Sequence, residues 1–196
     1  MDNLNDQHYI RLVKEGDKNA FAALVDRYKD MVFTLSLKLL KDRQEAEEAS
    51  QDTFLKVYKS LDKFKWESKF STWIYKVAFN TCLDRLKKNK RFQAIADIDE
   101  INEQETEPII NVLDSIEEKE RKQMIQDCLQ ELPGDDSFLL TLYYFEEQSL
   151  EEVSKIIGIT QNNVKIRLYR SRKKLASLLK ARFEPEISAY YEREQR

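Results

Sequence analysis

Apolar residues recur three and four positions apart along most of the chain, the spacing of one helix face. Tyr9, Ile10 and Val13 mark a short first helix that ends near Gly16. From Lys18 to Leu40 the positions Phe21, Leu24, Val25, Tyr28, Val32, Leu35 and Leu39 repeat at helical spacing. Asp42, with Glu45 three residues on, predicts the cap of a third helix carrying Ala46, Ala49, Phe54, Val57, Tyr58 and Leu61. A loop over Phe64–Lys69 precedes a helix from about Ser71 to Lys88, whose basic end "RLKKNKR" opposes the negative end of the helix dipole. Periodicity fades between Gln93 and Glu120, where "DIDEINEQETEPII" reads as a linker with an apolar patch at Ile109–Leu113. It resumes over Ser115–Leu132, breaks at "LPGDD", and returns over Ser137–Glu146.

Composition agrees with that pattern. Gly and Pro occur three times each, so long helices run with few breaks and sheets lack their usual punctuation. The expected fold class is all-α, with two small helical domains joined by an acidic linker. The boundaries fall at residues 1–92, 93–120 and 121–182, with a tail over 183–196.

The stretch Ser149–Leu179, "SLEEVSKIIGITQNNVKIRLYRSRKKLASLL", has the pattern of a helix-turn-helix. Ser149 and Glu152 form a capping box, Val153, Ile156 and Ile157 face inward, and Gly158 supplies the turn. Ile159 plugs the core and Thr160 caps a second helix with a buried stripe of Val164, Leu168 and Leu175. Its outward positions carry amides, cations and a phenol, among them Asn163, Lys165, Arg167, Tyr169, Arg170 and Arg172. A recognition helix needs that division: polar groups for base edges and phosphates, and an apolar spine to hold it. A plain helical hairpin with a solvated basic face is the blander alternative.

A second unusual segment is "KFKWESKFSTWIYKVAFN", Lys63–Asn80, with its rings set among lysines. At about 100° per residue, Phe70, Trp73, Ile74, Val77 and Thr81 share one stripe. Tyr75, Phe79, Cys82 and Leu86 share another, so most of the rings are core. Between the stripes lies a wedge of Lys76, Asn80 and Lys87 bordered by Trp73, a composition suited to unstacked single-stranded nucleic acid.

The net charge of −3 hides a segregation: about +5 over residues 1–92, −7 over 93–122 and +1 over 123–182. Lys155 to Arg182 holds nine Lys/Arg and no acid, so polyanion binding suits both flanks of the strap. Cys82 and Cys128 are too few for a disulfide framework or a zinc site. With one histidine, His8, no phosphate-cradling glycine loop and no nucleophile elbow, catalysis has no visible machinery. No cofactor, metal or small-molecule substrate is expected. The lack of a signal pattern or a long apolar run predicts a soluble cytoplasmic protein.

"SLEEVSKIIGITQNNVKIRLYRSRKKL" resembles the fourth domain of the extracytoplasmic-function (ECF) sigma factors. "EAEEASQDTFLKVYKSLDKF" and "KFSTWIYKVAFNTCLDRLKK" resemble their second domain, and together the resemblance spans residues 8–182. It implies promoter DNA and core RNA polymerase as partners, the latter through the beta-prime coiled coil and the beta flap, and an anti-sigma factor that can hold the protein at the membrane. Polymerase contacts would fall on Glu48, Gln51, Asp52, Phe54, Leu55 and Tyr58. For Phe54 and Tyr58 spacing alone leaves core and interface equally open. Capture of the minus-10 element would fall to Trp66, Ser68, Lys69, Lys76 and Asn80, with Lys87, Lys88 and Arg91 on upstream phosphates. Minus-35 bases would meet Lys165, Ile166, Tyr169 and Arg170, and phosphates Thr160, Asn163, Arg167 and Arg172. Ile166 stands where relatives often have serine; it cannot hydrogen-bond and could meet a thymine methyl instead, which leaves the base preference open. The acidic strap replaces the family's third domain, either threading toward the polymerase active centre or serving as a solvated tether. Tyr190 and Tyr191 of the tail would pack on the fourth domain or on a partner.

Rival readings remain at this level. A stand-alone helix-turn-helix regulator would use only the C-terminal half and dimerise on a palindrome. An interaction adaptor would bind no DNA selectively.

Overall fold

The computed structural model describes the backbone of residues 2–88 and 118–194 and the side chains of residues 6–88 and 124–182. The predicted contacts of Arg91 and of Tyr190 and Tyr191, and the strap up to residue 117, lie outside that description. Every element among the described residues is helical. The N-terminal half consists of α1 (Asp2–Lys14), α2 (Lys18–Leu40), α3 (Arg43–Ser60) and α4 (Phe70–Lys88), with a 3-10 turn at Leu61–Lys63. The C-terminal half consists of α5 (Glu118–Glu131), α6 (Gly134–Leu140), α7 (Leu150–Ile157) and α8 (Gln161–Glu194).

Local chemistry sets these boundaries. The Asp17 carboxylate accepts from the backbone N–H groups of Asn19 and Ala20 and starts α2. Asp42 does the same for Glu45 at 2.9 Å and starts α3. The reciprocal arm of that expected capping box is not formed, because the Glu45 side chain turns to Arg85 on α4 instead. α1 is fastened to α2 through the nearly buried Asp6, which accepts from Tyr28 Oη at 2.6 Å and from Arg27 at 2.8 Å.

The helix expected over Ser137–Glu146 begins three residues earlier, directly after Pro133, and changes character at Thr141. There the Thr141 hydroxyl donates to the Ser137 carbonyl at 2.8 Å, and the backbone widens into a π-helical turn over Thr141–Phe145. The last helix does not end near Arg182, the expected domain edge, but continues to Glu194.

Aromatic packing organises the N-terminal half. Phe70 is fully buried, with ring centroids 5.4 Å from Tyr28, 5.6 Å from Phe64 and 5.7 Å from Trp73. Ile74 and Ala78 continue its stripe along α4. Both cysteines are free and buried, and burial pushes the Cys82 thiol up to about 11, which leaves it unreactive at neutral pH.

The two halves are not separate bodies. α4 packs against α7 and α2 against α6, and the buried residues of both halves form one contiguous apolar cluster. The ring of Phe79 lies 5.0 Å from that of Phe138 across the seam. The charge pattern predicted two modules on a tether; the second apolar stripe of α4 is what joins them.

Removing the ring at the centre of the aromatic cluster tests this packing. Phe70→Ala is expected to lower stability by about 3–5 kcal/mol, read as a shift of the guanidinium unfolding midpoint at unchanged slope.

Candidate nucleic-acid and polymerase interfaces

The wedge predicted on α4 is present. Lys76, Asn80, Lys87 and Lys88 are exposed, and Tyr75, Phe79 and Thr81 beside the first two are buried. Trp73 at its border is half-buried, its ring 5.2 Å from that of Phe64. Trp73 also lines a pocket of about 310 Å³ together with Phe64, Ser68, Thr72, the cations Lys63, Lys65 and Lys76, and one carboxylate, Glu67. Cations around a ring-lined recess fit a base that has left its stack, with its phosphates held outside. Lys155 of α7 also reaches this pocket, so its rim includes the other half of the chain.

The preceding loop holds the other minus-10 candidates less uniformly. Trp66 is 42 % exposed and adopts φ 62°, a left-handed conformation that is uncommon for a bulky residue. Its ring stays 4.7 Å from Phe64, which anchors the loop. The Ser68 hydroxyl donates to the Lys69 carbonyl at 3.2 Å. The Lys69 ammonium pairs with Glu152 of α7 at 2.9 Å. Burial works against the Glu152 charge, but hydrogen bonds from Lys69 and Ser149 bring its carboxyl below the usual range.

The polymerase candidates sit on one side of α3. Leu55 is 57 % and Tyr58 42 % exposed, Gln51 is exposed and Phe54 half-buried. With Phe21 and Val25 of α2 they line an apolar groove of about 660 Å³, and the Tyr58 ring meets Phe21 at 5.0 Å. Spacing left Phe54 and Tyr58 between core and surface, and the fold places them at the border. An exposed aromatic and aliphatic groove with polar edges has the make-up of a protein interface.

Glu48 and Asp52 border this surface and share a cation that the sequence reading did not single out. Arg85 of α4 donates to Glu45 and Glu48 at 3.0 Å each and to Asp52 at 2.6 Å. The hydrogen bond to Asp52 is the main cause raising the guanidinium above its ordinary value, and Arg85 and Gln44 hold the Glu48 carboxyl down. A signal was available: acids at 45, 48 and 52 stack on one helix face, where like charges repel unless a cation faces them.

The helix-turn-helix forms, although Ile159 and Leu175, expected in its core, are only half-buried against it. Ser149 and Glu152 make both arms of the capping box, at 3.2 Å and 2.8 Å. Gly158 turns at φ 77°, a conformation that costs a residue with a Cβ. Val164 and Leu168 of α8 are buried, and Thr160 accepts from the Asn163 N–H at 3.3 Å. Of the minus-35 candidates, Lys165 and Arg172 are exposed, while Asn163, Ile166, Arg167, Tyr169 and Arg170 are half-buried along the same helix. Arg172 reaches back to the Tyr144 hydroxyl at 3.4 Å. Tyr144 and Phe145 are half exposed, an aromatic pair the sequence reading passed over because it took Ser137–Glu146 as one regular helix.

No helix among the described residues is long and apolar enough to cross a membrane. Comparison with known proteins agrees with the geometry on both halves. The Sigma-70 region 2 family matches residues 24–92, and the Sigma-70 region 4 family matches residues 122–175. The ECF RNA polymerase sigma factor SigW of Bacillus subtilis is 33% identical over 177 residues, covering 87% of this chain and 95% of its own. CnrH, solved in complex with the cytosolic domain of CnrY, superposes with a TM-score of 0.62 at 20% identity, covering 90% of this chain and 98% of its own. The sigma factor RpoE of Bartonella quintana, solved with the anti-sigma factor NepR, gives 0.60 at 20% identity over 82% and 96%. The two matched regions in this order, and the likeness to SigW over most of both chains, mean that the chain belongs to the ECF sigma factors of the sigma-70 family.

Proposed function

We propose that this ECF sigma factor divides promoter recognition among three surfaces, and that the exposed Lys76–Asn80 wedge above a ring-lined pocket is the one that separates the strands. The groove between α2 and α3 takes the beta-prime coiled coil of core polymerase, with Leu55 and Tyr58 as apolar anchors and Gln51, Glu48 and Asp52 at its edge. The loop residues Trp66, Ser68 and Lys69 and the wedge take the non-template strand of the minus-10 element. Lys87, Lys88 and Arg91 hold phosphates upstream. The first turns of α8 enter the major groove at the minus-35 element: Lys165, Ile166, Tyr169 and Arg170 toward bases, and Thr160, Asn163, Arg167 and Arg172 toward phosphates. Residues 1–92 and 121–182 act as the two promoter-binding domains, and 93–120 connects them.

The exposed aromatic pair Tyr144 and Phe145 suits the beta-flap contact. Regulation by an anti-sigma factor is supported by the fold-level likeness to RpoE, which was solved with one. The chain itself supplies no reaction chemistry; bond formation belongs to the polymerase.

Three outcomes check the division. Leu55→Asp replaces an exposed side chain, so the fold should survive while affinity for core polymerase falls by at least about 2 kcal/mol, measured by co-elution titration. Asn80→Ala should leave duplex promoter bound by the holoenzyme but poorly opened, and normal permanganate reactivity of the minus-10 bases would refute the capture role. Arg170→Ala should cost about 1–3 kcal/mol at a single minus-35 base position; uniform loss over all sequences would reassign Arg170 to a phosphate.

A further inference from the structure

Asp136 is a nearly buried carboxylate that the proposed division of promoter contacts leaves without a role. It lies on α6, a helix seated deep in the core: Ser137, Phe138, Leu139 and Leu140, which follow it, are all buried. Both of its oxygens are taken by α8. Ser171 Oγ donates to Oδ1 at 2.5 Å, and the Lys174 ammonium donates to Oδ2 at 2.5 Å.

The buried stripe at the start of α8 runs through Val164, Leu168 and Ser171. Where an apolar side chain would continue that pattern, a fully buried hydroxyl stands and aims at Asp136. Burying a carboxylate is costly, and well-packed apolar residues in place of a buried polar pair are often as stable or more so. Stability alone therefore does not account for the arrangement. Direction does. Apolar burial scales with area and is indifferent to small rotations of one helix on another, whereas a hydrogen bond weakens steeply as its angle opens. Residues 171 and 174 stand about one turn apart, so one carboxylate grips α8 at two levels and fixes its rotation against α6.

That grip lies beside the residues proposed to read bases. Ser171 follows Arg170 directly, and Tyr169, Ile166 and Lys165 precede it on the same unbroken helix. A rotation of α8 at Ser171 is passed along the rod to each of them. Base edges are read by paired groups that must meet in register, while a phosphate contact tolerates displacement. Base readout is the part of recognition that such a rotation degrades.

We infer that Asp136 is a positioning residue for the minus-35 element: by holding Ser171 and Lys174 it sets the rotation at which α8 presents Lys165, Ile166, Tyr169 and Arg170 to base edges. This rests on the assignment of α8 to the minus-35 element. Asp136 itself touches no DNA, and Lys174 serves the grip rather than a phosphate. The Lys174 side chain is 54% exposed and that of Asp136 11%, so the outer arm can be altered without opening the core.

The test uses the holoenzyme and a duplex promoter library randomised over the minus-35 element, with enrichment read by sequencing at several salt concentrations. Lys174→Met removes the outer arm, Ser171→Ala the inner one, and Lys174→Arg keeps the ion pair. Each of the first two should lower the enrichment of the wild-type preferred element over its single-base variants by about three- to tenfold, up to the worth of one base contact. Binding to non-preferred sequences and its salt dependence should stay as in the wild type, and Lys174→Arg should keep the wild-type ratio. Unchanged discrimination in Lys174→Met and Ser171→Ala, whatever their unfolding midpoints, would reduce Asp136 to a brace and overturn the inference. Uniform loss over all sequences with a shallower salt dependence in Lys174→Met would overturn it too, by making Lys174 a phosphate contact. A wild-type holoenzyme with no preference at minus-35 would sink the reading of α8 itself. The inference fails alone when the wild type discriminates and its variants do so equally.

Discussion

Burial of one helix from two sides is the constraint on which the molecule depends. α4 has a fully buried edge at Phe70, Ile74 and Ala78 inside the N-terminal half, and a second buried edge at Tyr75, Phe79 and Cys82. At about 100° per residue these leave a narrow outward sector for Lys76 and Asn80. The sector is rigid because the helix beneath it cannot rotate without exposing rings from one stripe or the other. A strand-capturing surface benefits from that rigidity, since groups fixed in place lose little entropy when they bind.

The acidic edge of the groove proposed for polymerase obeys a different logic. Arg85 binds three carboxylates, yet most of that network faces solvent, where individual ion pairs are worth roughly 0–1 kcal/mol. Its value lies in orientation rather than stability. It couples α3 to α4 and fixes Glu48 and Asp52 beside the apolar groove, so the surfaces proposed for polymerase and for DNA are built on one rigid pair of helices.

The seam between the halves combines both kinds of interaction. Its apolar part, centred on Phe79 and Phe138, is continuous with the core. Its polar part includes the Tyr75–Glu146 and Thr72–Gln148 hydrogen bonds and the Lys69–Glu152 ion pair, each with a ready substitute in water. Interfaces of that make-up within a chain resemble transient protein interfaces and admit relative motion of the parts.

Much of this was legible in the chain alone, because local physics fixed it. The span of α2, the cap at Asp42, the capping box at Ser149 and Glu152, the Gly158 turn and the outward wedge on α4 all follow from periodicities and capping chemistry within a few residues. Other features depend on residues far apart in sequence. Arg85 meets Asp52 across 33 positions, and Thr72 meets Gln148 across 76. Helical spacing identified Tyr75 and Phe79 as buried but could not say by what, and charge segregation suggested two independent bodies. Only the tertiary structure could decide that the second stripe of α4 is covered by the fourth domain, because a periodic pattern records that a face must leave water and carries no label for its partner.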